Sequence, residues 1–332
     1  MTDPTLAMAS DYAVWAATAV LALALLAFCA HLAVTGAARE RKTDVREHER
    51  EAVAVGAGAG ATPSPTDPAT PAPAPSASSA PSPSRRWGVV GLQLTWLATF
   101  LVVGGTALRA LAVSRAPLGN MYEFALMTAS FALVIYCVWS LRKDRLWLGA
   151  FVVLPVLLIV GAARLGWYTE ASQLMPALKN VWLVIHVTIA TLSVGLFTIG
   201  AALATAYLLR ERAERRGAVR GWLAALPGAQ TLERLTYGIH VFAFPLWTFA
   251  VISGAIWAEQ AWGRYWGWDP KETWSFVIWV VYAAYLHARA TTGWTTRRST
   301  WLAIAGFVCV VLNFTAVNLL MTGLHSYSGV ST

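Results

Sequence analysis

Residues 257–274 read Trp-Ala-Glu-Gln-Ala-Trp-Gly-Arg-Tyr-Trp-Gly-Trp-Asp-Pro-Lys-Glu-Thr-Trp and hold five of the seventeen tryptophans in the chain. A membrane-interface belt supplies one or two Trp at the end of a span, so this density asks for another explanation. The faces of Trp262, Trp266, Trp268 and Trp274, with Tyr265, offer broad apolar contact to a large flat ring, and offset stacking adds to it. Gly263 and Gly267 permit close approach. Read as a helix, the segment puts Trp262 and Trp266 on one face at i, i+4, and Pro270 stops or redirects the chain. Asp269, Lys271 and Glu272 edge it with charge and can pair locally.

Six histidines complete the inventory. His48 sits in a charged stretch and reads as solvated. His186 lies roughly 9 Å inside the start of an apolar run at 1.5 Å per residue. His325 falls just beyond the last apolar run. Both can reach the level of the Trp-rich segment. Two imidazoles at one level beside aromatic rings suit an axial pair on heme iron, each with its other ring nitrogen held by an acceptor. His287 comes about 21 Å from that end of its run, so it cannot share their metal and would mark a second, inner site. The partner of His287 could come from another protein. His31 and His240 also fall toward the inner side of their spans and are the alternatives within the chain, although each reads more readily as packed or hydrogen-bonded. Together these features point to heme. Arg264, Lys271 or Arg115 are the candidates to meet its propionates, since cations recognise carboxylates at short range.

The elements that must position these residues are membrane helices. The chain is 57% hydrophobic and 13% charged, with a mean hydropathy of +0.54. Eight apolar runs are long enough to span the bilayer: about 12–35, 87–110, 118–140, 146–163, 181–209, 236–257, 274–290 and 301–322. The expected fold class is all-α, a polytopic membrane protein of about eight transmembrane helices. Nineteen of the 25 Lys and Arg fall in alternate connections. By the positive-inside rule both termini and the Trp-rich loop then face outward, and the net charge of +8 implies no nucleic-acid partner. The first span lacks the basic leader of a cleavable signal and is expected to be retained.

Three regions follow. Residues 1–36 form an N-terminal span. Residues 37–86 form a cytoplasmic linker, charged over 38–51 and then Pro/Ala/Ser-rich; eight of the fifteen prolines fall in 52–86, a composition that predicts disorder. Residues 87–332 form the heme-handling bundle. Residues 114–123 read as a turn into the third span, and 164–180 as a short amphipathic helix on the membrane surface. Cys29, Cys137 and Cys309 are far apart, and no C-x-x-C is present, so dithiol chemistry by this chain is not expected.

At this point the motifs resemble a known family. Trp262-Gly-Arg-Tyr-Trp-Gly-Trp-Asp-Pro-Lys-Glu-Thr-Trp274 is similar to the "WWD" signature of heme-handling proteins. Phe244-Pro-Leu246, Gly254-Ala-Ile-Trp257 and Tyr285-Leu-His-Ala-Arg289 resemble its CcsA/ResC branch, the cytochrome c synthase subunit of the system II pathway. So do Trp182-Leu-Val-Ile-His186, Pro117-Leu-Gly-Asn-Met-Tyr-Glu123 and Gly323-Leu-His-Ser-Tyr327. The likeness covers about residues 90–328 and leaves the first span and the linker outside it.

The resemblance implies a multi-pass plasma-membrane protein with the WWD loop on the extracytoplasmic side. It implies that His186 and His325 ligate the iron of heme b over the WWD segment. It implies that His287 serves an inner site whose second ligand comes from a ResB-type membrane subunit. Heme would pass from the inner site to the outer one, where its vinyl groups meet the thiols of an apocytochrome c C-x-x-C-H motif. A thioredoxin-like protein would keep those thiols reduced. The implied activity is cytochrome c heme lyase, with Trp262, Tyr265, Trp266, Trp268, Asp269 and Trp274 holding the ring. Two other functions compete: a bis-His electron-transfer cytochrome subunit, and a heme-free transporter of an aromatic substrate.

Overall fold

The computed structural model describes residues 3–58, 83–173 and 178–325. Its helices are α1 (Pro4–Gly58), α2 (Pro83–Val113), α3 (Met121–Arg142), α4 (Gly149–Gly166), α5 (Val181–Arg215), α6 (Ala229–Trp262), α7 (Pro270–Ala290), α8 (Thr296–Phe314) and the single-turn α9 (Ala316–Leu320). Among the described residues there is no strand. Seven of these helices are long and apolar enough to cross a membrane, and the chain is a polytopic membrane protein. The seventh of the eight expected spans is the exception. Helix α7 has the length, but Lys271, Glu272, His287 and Arg289 lower its apolar character.

Helix α5 joins two packed halves. One core is built from α1–α5, with Phe28, Tyr122, Tyr136 and Leu148 fully buried. The other gathers Phe197, Trp247, Ile278, Tyr282, Tyr285 and Val310 from α5–α8. A third, smaller cluster sits at the Trp-rich end: Leu178, Leu183 and Trp257, with Trp182 and Trp262 against them.

Helix α1 is a wall of the bundle. Val14, Ala17, Leu21, Ala24 and Phe28 are fully buried along it. At the Trp-rich end Asp11 accepts hydrogen bonds from Arg164 (3.0 Å) and Tyr168 (2.6 Å). At the other end Arg39 donates to the Ala224 carbonyl (2.8 Å). The charged stretch 38–51, expected within the linker, continues α1 as far as Gly58, and Pro83–Arg86 already belong to α2. The rest of the Pro-rich linker, residues 59–82, lies outside the described residues. The surface helix expected over 164–180 is corrected. Residues 164–166 end α4, 167–173 are irregular, and 174–177 are outside the described residues.

Three helices that frame the Trp-rich end begin with a polar cap, which satisfies backbone N–H groups that have no partner in the first turn. Asn120 accepts from the Glu123 N–H at 2.9 Å, and Asn180 from the Trp182 N–H at 2.8 Å. Asp269 caps α7 in a reciprocal capping box with Glu272. The caps set where α3, α5 and α7 enter the bundle, and hence where their first turns face one another.

Candidate functional site

The Trp-rich segment is a loop, as expected, so Trp262 and Trp266 do not share a helix face. Helix α6 stops at Trp262 because Gly263 takes a left-handed conformation (φ +71°) that a side chain resists. Pro270 does not end a helix. It occupies the first turn of α7, where its missing N–H costs nothing. Between them Trp268 holds φ +59°, a conformation few residues other than glycine adopt. It turns the Trp268 indole outward, 66% exposed, edge-on to Trp266 and Phe276. Instead of a flat platform, the rings form a set of edges. Trp257 meets Trp262 at 66°, and Trp266 meets Trp268 at 89°.

Beneath this loop lies a cleft of about 190 Å³ walled by α3, α5, α6, α7 and α8. His186 and His325 both line it. The His186 ring lies parallel to Trp257 (6.3 Å between centroids, 6° between planes). His325 meets the same indole at 5.6 Å and Trp262 at 4.8 Å, edge to face. Trp257 is therefore a neighbour common to both imidazoles.

Each imidazole is fixed by its Nδ1. His186 Nδ1 donates to the Ala250 carbonyl at 2.7 Å. His325 Nδ1 donates to Asp269 Oδ2 at 2.8 Å. An acceptor on Nδ1 sets the tautomer and leaves Nε2 with its lone pair, which is the state a metal-binding histidine needs. Gly254 makes the first contact possible. A Cβ there would come within 2.7 Å of the His186 ring, so only glycine lets the imidazole lie on α6.

Asp269 joins the helix cap to the histidine. Its carboxylate also accepts from the Leu324 N–H (2.6 Å) and the Lys271 N–H (3.2 Å). Burial pushes this carboxyl up, but the hydrogen bonds from His325, Leu324 and Lys271 outweigh it and hold it below the usual carboxylate range. Lys271, also in the first turn of α7, reaches the Asn313 carbonyl at 2.6 Å. Burial pushes its ammonium down to about 7, against the attraction of Asp269.

The 114–123 turn is held by a buried ion triad. Glu123, fully buried, accepts from Arg109 Nε at 3.0 Å, from Arg115 Nη1 at 2.9 Å and from the Gly119 N–H at 2.7 Å. Leu118, Gly119, Asn120 and Met121 of this turn wall the cleft. Arg115 is committed here and to the Ser172 carbonyl.

The expected residues thus separate by place. His186, His325, Tyr265 and Trp266 line the cleft. Asp269 and Trp262 contact His325 from its edge. Trp268 points away, and Trp274, half-buried on α7, does not line the cleft. His287 sits at the far end of α7 with its side chain exposed. His240 is fully buried in the second core, with Nδ1 donating to the Thr236 carbonyl (2.7 Å) and its ring against Phe197, Tyr282 and Tyr285. His31 packs at the α1–α2 contact beside Thr35 and Gly88. Neither is on the exposed side of α7 that carries His287.

Sequence reasoning missed Trp257, Trp247, Gly254, Glu272 and Asn313 as cleft residues. Trp257 and Glu272 lay within the Trp-rich segment and Gly254 within the Gly254-Ala-Ile-Trp257 motif, whereas Trp247 and Asn313 carried no local signal. Among the described residues no three His, Cys, Asp or Glu side chains gather around a point. Two imidazoles in an apolar cleft suit an iron already held by four ring nitrogens.

A family model described as cytochrome C assembly protein matches residues 118–325, from the turn that walls the cleft to His325. The cytochrome c biogenesis protein CcsA of Guillardia theta is 40% identical over 230 residues, covering 64% of this chain and 76% of that protein. The protein of the same name from Picosynechococcus sp. is 31% identical over 297 residues, covering 72% and 87%. That from Chlamydomonas reinhardtii is 36% identical over 218 residues, covering 64% and 60%. With the cleft, its two histidines and the Trp-rich loop all inside the matched stretch, the chain belongs to the cytochrome c biogenesis protein CcsA family.

Proposed function

We propose that this membrane protein of c-type cytochrome biogenesis receives heme b in the Trp-rich cleft, with iron between His186 and His325, and presents it for attachment to apocytochrome c. The observation that carries the reading is the pair of imidazoles that line one cleft beside Trp257, each with Nδ1 on a protein acceptor. The chemistry at the ring is addition of each substrate thiol across a heme vinyl group. The sulfur–carbon bond forms as the double bond is lost, and the thiol hydrogen passes to the neighbouring carbon. The chain contributes position: it fixes the iron, limits tilt of the ring and excludes bulk water. Release follows when the histidine of the C-x-x-C-H motif replaces one of the two protein imidazoles. In this sense the protein is a heme lyase subunit.

The inner site is proposed at His287. It lies on an exposed stripe of α7 with Phe276, Val280 and Ala284, facing away from His240. A ligand from a ResB-type subunit packed on that stripe would complete it, and heme would move from there to the cleft. The asymmetry disfavours an electron-transfer cytochrome, which needs both ligands at both levels. We assign the Trp-rich loop and the C-terminus to the extracytoplasmic side of the plasma membrane, following the positive-inside distribution of Lys and Arg. The reduced state of the substrate thiols is left to a separate thioredoxin-like protein.

The test is a visible spectrum of the full chain co-purified with its membrane partner, beside His186→Ala, His325→Ala and His287→Ala. The expected result is a two-imidazole heme spectrum altered by the first two and a separate loss in the third. A wild type that carries no heme and takes up no ferric heme would sink the reading in favour of a heme-free transporter.

A further inference from the structure

Apart from the two histidines, Asn120, Tyr265 and Asn318, the polar side chains of the cleft gather where α7 meets α8. There Lys271, Glu272, Ser275 and Asn313 come together. Lys271 is the one Lys or Arg among the described residues that line the cleft. Three other cations near this end are committed elsewhere. Arg109 and Arg115 bind Glu123, and Arg164 binds Asp11. The Arg264 guanidinium lies across Gly267, 3.8 Å from Glu272, outside the lining. Lys179 is exposed and lines nothing.

Lys271 Nζ makes a 2.6 Å hydrogen bond to the Asn313 carbonyl, which holds the amine in place. An ammonium has three N–H donors, so others remain for a ligand. Glu272 does not absorb them. Its Oε2 takes the Gly267 and Asp269 N–H groups at 2.8 and 3.0 Å. Asp269, the other carboxylate nearby, attracts this ammonium but makes no hydrogen bond to it, its oxygens being taken by His325, Leu324 and the Lys271 N–H. A largely desolvated ammonium with free donors favours an anionic group on whatever enters.

We propose that Lys271 anchors one carboxylate of the tetrapyrrole, a heme propionate, and so sets which edge of the ring faces α7 and α8. This deepens the heme reading of the cleft and rests on it. Of the three cations named from sequence, the structure selects this one. Its consequence is orientation. With one propionate held at the α7–α8 floor, rotation of the ring about the axis between the two imidazoles is stopped, and the vinyl-bearing edge is presented to the same side in every cycle.

The experiment uses the full chain in detergent, titrated with ferric protoporphyrin IX and with its dimethyl ester, in wild type and in Lys271→Met. Both ligands carry the same iron and ring; the ester lacks the charges. Wild type is expected to bind the free acid about tenfold or more tightly than the ester. Lys271→Met is expected to lose that preference while binding the ester as wild type does, with the two-imidazole spectrum intact. Retained ester binding also shows that the variant folds. A preference that survives in Lys271→Met, or none in wild type, overturns the proposal. Equal loss of acid and ester assigns Lys271 to the fold and overturns it as well. A wild type that binds neither porphyrin brings down the heme reading itself.

Discussion

The two ends of α7 hold histidine environments of opposite kind. At its N-terminus, Asp269 caps the helix and grips His325, which shares the Trp257 neighbour and the walled cleft with His186. At its C-terminus, His287 stands exposed on a largely apolar stripe of α7. The first end has its acceptors, its aromatic walls and both imidazoles on one chain. The second has one imidazole and a surface. On the proposed reading, the difference separates a site that one chain completes from a site that needs a second protein. A ligand set that is complete retains its guest; one shared across an interface exists only while the interface does.

The largest expected effect breaks the comparison at its centre. Either His186→Ala or His325→Ala should abolish mature c-type cytochrome in cells and remove the outer two-imidazole spectrum. His287→Ala should leave the outer site able to bind ferric heme added in vitro. Cytochrome levels in membranes and titration of the purified chain check both halves.

Next comes the wall of the cleft. Glu123→Gln leaves Arg109 buried with no carboxylate, a loss of about 3–5 kcal/mol for one member of a buried pair. Thermal unfolding should show it, with the outer site weakened more than the inner one, because residues 118–121 wall only the outer cleft.

A smaller effect isolates the clamp on His325. Asp269→Asn keeps the size of the cap but removes the charge that orients the imidazole, and should lower heme affinity about 10–100-fold. The sign with pH follows from its depressed carboxyl. The contribution of the clamp is fully present above the ordinary carboxylate pKa of about 4 and is lost as pH falls through the lower folded value. The asparagine variant should lack that acid-side loss in an acid titration of the spectrum.

The smallest pair sharpens the comparison by position. Asn120→Ala and Thr295→Ala each remove a helix N-cap, at about 1 kcal/mol. Only the first borders the cleft. Equal losses of stability with unequal effects on the outer spectrum are expected, read by parallel melts and titrations.

Much of this architecture was legible in the residues. Long apolar runs name membrane helices because lipid leaves the backbone no other way to satisfy itself. His186 and His325 could be matched by level because rise per residue is fixed. The Trp-rich segment was legible as a loop, and its own residues set the bounds. Gly263 is a helix stop, and Asp269-Pro270-Lys271-Glu272 is a start with a capping box and a proline in its first turn. The share of α7 in the membrane was read from length, while its charged and polar-tipped side chains were given too little weight. Trp257, the Ala250 carbonyl and Glu123 as a hub for two arginines were not legible. Each depends on which helices meet, and no local spacing records that.

The most direct test of the central claim is replacement of a ligand by its own side-chain fragment. The full chain is purified as His325→Ala and as His186→Ala, and ferric heme spectra are taken without and with added imidazole. The account predicts that each variant loses the two-imidazole spectrum and that imidazole restores it, more readily at position 325, whose side chain is 21% exposed. A two-imidazole spectrum that persists unchanged in both variants without added imidazole would contradict it, since the iron would then be held by other residues.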